Sequence, residues 1–213
     1  MTATASRLST PWRLGLFAIL AIVMIATRSN LITLGSHIGS LPDASWAVFF
    51  IAGFYLAASW RWAFPALMLL AVGVDYAVIS GQGMDFWSHY CVSPAYWFLV
   101  PSYGAMWLGG TWLRRHHDGL HARDLGRLLA SAVVAASLCY LVSNGSYYWL
   151  GTHWRAASGA VPTLAGWIEN FGDWYLSFVG MALVYVAIAA VLHVLATQLS
   201  GALPAAEGRK QQR

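Results

Sequence analysis

One short stretch of this chain concentrates most of its reactive chemistry: Ser80-Gly81-Gln82-Gly83-Met84-Asp85-Phe86-Trp87-Ser88-His89-Tyr90-Cys91-Val92-Ser93-Pro94-Ala95-Tyr96. It holds no Lys or Arg. It combines a thiol, an imidazole, a carboxylate and several large aromatics. A thiolate is a soft donor that prefers soft or borderline transition metals. Cys91 and His89 together are too few for a structural zinc site, which wants four ligands. A single axial thiolate suffices where a macrocycle supplies the in-plane ligands, as in haem and corrinoids. Trp87, Tyr90 and Tyr96 could then stack on such a ring or cover it, although interfacial anchoring would equally account for Trp87.

Other residues offer competing chemistry. Asp75 lies in an apolar run, about 20 Å of helical rise beyond Trp62. A carboxylate at that depth tends to face a cavity or a partner; Tyr76 and Asn144 are candidate partners. Cys139 sits in an Ala/Leu/Val run near the middle of a later apolar stretch and reads as a small buried hydrophobe. A disulfide needs Cα atoms within roughly 7 Å, so a loop cysteine and a mid-span cysteine are not expected to pair. The segment Arg114–Arg127 is rich in Arg and His. His117 and His121, at i and i+4, would share a helix face with His116 nearby. Gly119 between them and the lack of a carboxylate partner make a positive boundary the better reading than a metal site. A haem or redox protein would draw its ligands from His37, His89, His153 and His193.

The elements that carry these residues follow from composition. Of 213 residues, 59% are hydrophobic and 9% charged, against roughly 25% charged in soluble domains. This excludes an ordinary solvated enzyme, a disordered chain and a nucleic-acid binder with a basic face. Spans of about 20 apolar residues cross the hydrocarbon. Six charge-poor runs are expected to be helices: Trp12–Thr27, Ser45–Trp60, Trp62–Ser80, Ala95–Leu113, Leu128–Leu150 and Trp174–Leu199. The second and third should form a tight hairpin through Ser59, Trp60 and Arg61. The first reads as a retained span, because no small-x-small cleavage site follows it.

The fold class expected is therefore an all-α integral membrane protein of six transmembrane helices. Residues 1–200 form one domain and 201–213 a polar, disordered cytoplasmic tail. With the N-terminus inside, ten cations fall inside and only Arg28 and Arg155 outside, which places both termini in the cytoplasm. Asp43, Asp85, Glu169 and Asp173 fall outside or at the outer boundary.

Six short spans, cytoplasmic termini and an outward-facing site resemble the substrate-binding S-components of energy-coupling-factor (ECF) vitamin transporters. The specific likeness is to their cobalamin-type members, the BtuM family. It is carried by Leu41-Pro42-Asp43-Ala44-Ser45-Trp46-Ala47-Val48-Phe49-Phe50, by Asp75, by His89-Tyr90-Cys91-Val92-Ser93-Pro94-Ala95-Tyr96-Trp97, and by Pro101-Ser102-Tyr103-Gly104. The resemblance implies an S-component-like bundle in a bacterial inner membrane, with its pocket facing the periplasm. It implies cobalamin or a close corrinoid as ligand and Cys91 as the axial ligand to cobalt. It implies Asp75 and Tyr96 as pocket residues. It also implies ligand exchange at Cys91 that expels cyanide from cyanocobalamin. Proximity extends the pocket to His89, Tyr90, Trp87 and Asp85.

The family's partner is an ECF coupling module of transmembrane and ATPase subunits. The first span here has Gly15, Ala18, Ala21 and Ala26 in place of the usual Ala-x-x-x-Ala contact motif. The expected partners are thus the corrinoid, the lipid bilayer, and either such a module or none, with no nucleic acid. With no Walker A motif, ATP hydrolysis is not expected from this chain.

Overall fold

The structure, a computed structural model, describes residues 9–29, 41–89, 92–151 and 161–210, with side chains as far as 199. Its elements are α1 (Thr10–Arg28), α2 (Ser45–Leu56), α3 (Trp60–Gly81), α4 (Leu99–His116), α5 (Ala122–Leu150) and α6 (Leu164–Lys210). One 3₁₀ turn, Ala57–Ser59, joins α2 to α3, and another, Pro94–Phe98, leads into α4. There is no strand among the described residues. Proline marks two starts: Pro11 in the first turn of α1 and Pro94 at the head of the second 3₁₀ turn, where a missing N–H costs nothing.

Four helical stretches are long and apolar enough to cross a membrane: Thr10–Arg28, Ser45–Gly81, Ala122–Leu150 and Leu164–Leu199. The 37-residue stretch Ser45–Gly81 folds back on itself. Phe49 and Phe64 have ring centroids 5.4 Å apart, whereas fifteen residues of straight helix would separate them by about 22 Å. The expected hairpin is therefore present, with its turn at Ala57–Ser59. The expected fourth span, Ala95–Leu113, is a 3₁₀ turn followed by α4. It is not among the four, because the 18 residues of α4 end in Arg114, Arg115 and His116, and Pro101, Ser102, Gly104, Gly109, Gly110 and Thr111 dilute its apolar residues further.

Successive helices alternate in direction. Arg13 at the start of α1 bonds Ser59 at the start of α3, and Arg28 at the end of α1 bonds Asp75 near the end of α3. Thr111 of α4 bonds the Gly53 carbonyl of α2, and Ser131 of α5 the Gly109 carbonyl of α4. The ladder Tyr148–Thr163, Asn144–Asn170 and Ser137–Tyr175 sets α6 antiparallel to α5.

The centre of the bundle is α2. Ala47, Val48, Phe49, Phe50, Ala52, Phe54 and Leu56 are all buried, so the helix is apolar all round, as an enclosed helix must be. Its contact with α4 is a backbone-to-backbone crossing. A Cβ on Gly110 would strike the Phe50 carbonyl, and one on Gly53 the Trp107 carbonyl. Small residues at crossings let membrane helices approach this closely.

Three expectations change. α5 begins at Ala122 rather than Leu128, so Arg123 and Arg127 lie on its first turns. α6 begins at Leu164, ten residues before Trp174, and takes Glu169 and Asp173 into the helix. The tail from Ser200 continues the helix to Lys210. Forty-seven residues rise about 70 Å, more than twice the hydrocarbon thickness of about 30 Å.

Candidate functional site

The site is organised around a cation. Arg28 ends α1, and its guanidinium points into the bundle at 12% side-chain exposure. Nε and Nη2 donate to the two carboxylate oxygens of Asp75, each at 2.7 Å. Nη1 lies 2.8 Å from Asp43 Oδ2, 2.9 Å from the Tyr103 hydroxyl and 3.2 Å from Ser45 Oγ. One side chain thereby ties α1 to α2, α3 and α4. The fork-to-fork geometry with Asp75 is the arrangement a guanidinium and a carboxylate favour. Asp75 is satisfied further by the Tyr96 hydroxyl, which donates to Oδ2 at 2.7 Å. Asp43 Oδ1 accepts from the Ser45 amide and hydroxyl at 2.9 and 2.6 Å. One guanidinium faces two carboxylates, so the network carries a formal surplus of one negative charge.

A cavity of about 310 Å³ opens on this network. Arg28, Asp75, Tyr96 and His89 line one part of it, and Ser143, Ser146 and Tyr147 of α5 another. Val78, Ile79, Ala95 and Leu99 supply apolar wall. It lies at the end of the bundle where α1, α3 and α5 finish, away from the Arg114–Arg127 segment. The partners of Asp75 are Arg28 and Tyr96, not Tyr76 or Asn144. Tyr76 instead packs on Phe86, and Asn144 bonds Tyr140, Asn170 and Trp167.

Of the residues expected at a pocket, Asp75, Tyr96 and His89 share this cavity. Trp87 and Asp85 do not line it. Trp87 is 74% exposed and meets only the edge of Phe86 among described ring contacts. Asp85 is exposed and closes its own turn, accepting from the Ser88 hydroxyl at 2.6 Å and the Ser88 amide at 2.9 Å. Those bonds hold its carboxyl below the usual carboxylate range. In this part of the connection Phe86 is the side chain that turns inward, 5% exposed. Tyr90 and Cys91 lie outside the described residues. Two positions on in the chain from Cys91, the buried Ser93 hydroxyl has no hydrogen-bond partner among the described residues.

The other end of the bundle separates the remaining candidates. His193 bonds the Tyr55 hydroxyl at 2.6 Å and lies 5.9 Å from the His117 ring, so it is at the opposite end from His89. His37 and His153 lie outside the described residues. His117 and His121 sit in the turn between α4 and α5, not on a helix face, so the i, i+4 argument does not apply to them. His121 instead faces Asp124 at 3.5 Å. Among the described residues no group of three metal-ligating side chains comes together. Cys139 is free and fully buried.

Sequence reasoning missed Arg28, which reads as a boundary cation, and the polar face of α5. The run Ser143-Asn144-Gly145-Ser146-Tyr147, inside an apolar helix, was the available signal. No protein-family model matches this sequence, and no curated protein matches it.

Proposed function

We propose that this chain is a membrane uptake protein that binds cobalamin or a related corrinoid on its outer face, with Cys91 as axial ligand to cobalt. In this reading all six helices cross a bacterial inner membrane. The Arg114–Arg127 end and both termini face the cytoplasm, and the cavity faces the periplasm. The observation that carries the reading is convergence. Asp75, His89 and Tyr96, from α3, the connection and the 3₁₀ turn, meet on one cavity, and Cys91 is two residues from His89.

Three further features support it. The surplus carboxylate charge suits a ligand with a cationic metal centre and a periphery of amide donors. The Ser93 hydroxyl, unpartnered among the described residues and two positions after Cys91 in sequence, offers a polar contact, and a buried hydroxyl left unpaired is costly. The cations gather at the far end, as they do on cytoplasmic faces. The cavity is at the lower limit of small-molecule sites, about 300 Å³. A corrin ring therefore lies over its mouth with an edge or side chain inserted, and the connection of residues 80–96 forms its cover.

Ligand exchange follows from the same contact. The thiolate donates a lone pair to cobalt(III), cyanide leaves with its bonding pair, and no electron is transferred. A coupling module remains the partner the resemblance implies, and a solitary mode the alternative.

The test is the ultraviolet–visible spectrum of purified protein mixed with cyanocobalamin. We expect a shifted cobalt absorbance that is absent in Cys91→Ser and after thiol blocking, with the thermal unfolding of Cys91→Ser unchanged. An identical spectrum for both proteins would overturn thiolate ligation. Colourless protein from both forms after cobalamin feeding would overturn corrinoid binding.

A further inference from the structure

Helices α5 and α6 bond along one half of their length and part along the other. Near the candidate site they are joined from Tyr148–Thr163 to Ser137–Tyr175. Towards the Arg114–Arg127 end a cleft of about 800 Å³ opens between them. Leu125, Leu128 and Leu129 form one wall and Leu183, Ala190 and Val194 the other. Phe50 and Phe54 of the central helix α2 lie at its floor. The cleft thus penetrates past the outer helices, which distinguishes it from the lipid-facing leucines elsewhere on the bundle.

Its mouth is polar. His117, His121, His193 and Tyr55 line it. The polar lining also includes Gln198 and the carboxylate of Asp124, and no Lys or Arg among the described residues lines it directly. The Arg114 guanidinium stands 5.5 Å over the Phe54 ring, which also packs against His117 and His193. Asp118 and Asp124, the acids of this end, are both engaged by Arg127. Arg114, Arg115 and Arg123 have no acidic partner among the described residues. Apolar walls that end in imidazoles and, over Phe54, in Arg114, a cation with no acidic partner among the described residues, complement a molecule with a long hydrocarbon tail and an anionic head.

We propose that this cleft is a binding site for an anionic phospholipid. An acyl chain lies between α5 and α6, and the phosphate meets Arg114, His117 and His121. The inference rests on the membrane reading alone and is independent of any ligand at Cys91. A bound chain would also cover the cleft floor on α2 without a protein partner.

The test uses the full chain in mild detergent, stripped of lipid and then given equal phosphatidylglycerol and phosphatidylcholine. Retained lipid is counted by native mass spectrometry. We expect one phosphatidylglycerol per chain, favoured about fivefold over phosphatidylcholine, the effect of roughly one arginine at an anionic membrane surface. Ala190→Trp and Leu129→Trp, filling the cleft from opposite walls, should each lose the retained lipid. Arg114→Gln should keep a lipid but lose the headgroup preference. Equal retention of both lipids, full retention in the folded tryptophan variants, or a dimer whose dissociation alone exposes the cleft would overturn the proposal.

Discussion

Among single residues, Arg28 and Asp75 carry the greatest energetic consequence. Removing one partner of a buried, hydrogen-bonded ion pair leaves the other charge without compensation, which costs about 3–5 kcal/mol. Arg28→Met should therefore lower stability by about 3 kcal/mol, the lower end because Asp43 is 39% exposed. Unfolding in detergent measures it. Asp75→Asn keeps an acceptor for Tyr96 and should cost less. If it weakens corrinoid uptake while leaving the cobalt spectrum and the unfolding midpoint intact, Asp75 acts on the ligand. An equal loss of stability and uptake would confine it to holding Arg28. Asp85 allows a pH test. Its folded carboxyl titrates below the ordinary value, so its bonds to Ser88 are complete above about pH 4 and fail as the pH falls through the folded value. Hydrogen-exchange protection of the Ser88 amide should disappear only in that acidic range. Asp75 stood out in the sequence because a carboxylate departs from its apolar surroundings, and Tyr96 was singled out as a pocket residue by the family resemblance. Arg28 did not, because its partners are 15, 47 and 75 residues away.

The helices themselves depend on two kinds of contact. α2 and α4 cross through glycine, and overpacking such a contact costs about 1–3 kcal/mol. Gly110→Val should reach or exceed the upper figure, because the obstacle is the Phe50 backbone rather than a movable side chain. Thermal unfolding of the variant checks it; wild-type stability would mean that the helices separate without cost. α5 and α6 are held by polar bonds in an apolar setting. Asn144→Ala removes the bonds to Tyr140, Asn170 and Trp167. At about 0.6 kcal/mol for an average membrane hydrogen bond, the loss should be about 1–2 kcal/mol. Hydropathy located each of the described α-helices but misjudged the ends of α4, α5 and α6. Charged residues remain compatible with a helix at the water boundary, so apolarity stops before the helix does.

For the whole molecule, the alternation of the six described α-helices puts the start of α1 and the far part of α6 at the same end. Reporter fusions at either terminus should both be active on the cytoplasmic side. A membrane-impermeant maleimide should label Cys91 from outside intact cells and leave Cys139 unmodified. Labelling only after the membrane is opened would reverse the orientation or enclose the thiol. The hairpin and the order of the helices were legible in the cation pattern, since an arginine-bearing turn marks where apolar runs fold back. The gap between α5 and α6 was not, because leucines facing a cleft and leucines facing lipid have the same composition and spacing.

By itself the sequence determined the helical, membrane-type character of the chain, the order of the described helices and the crowding of donor groups between Ser80 and Tyr96. Each of these depends on residues close together in the chain, where transfer free energy and helical rise act locally. Only the tertiary structure decided that Arg28 reaches Asp75, Asp43 and Tyr103, that Asp75, His89 and Tyr96 share a cavity whose lining leaves out Trp87 and Asp85, and that α5 and α6 diverge. Those outcomes depend on which side of a helix meets which neighbour. That choice is made by close packing at α2, where two glycines and a buried guanidinium admit one arrangement of four helices.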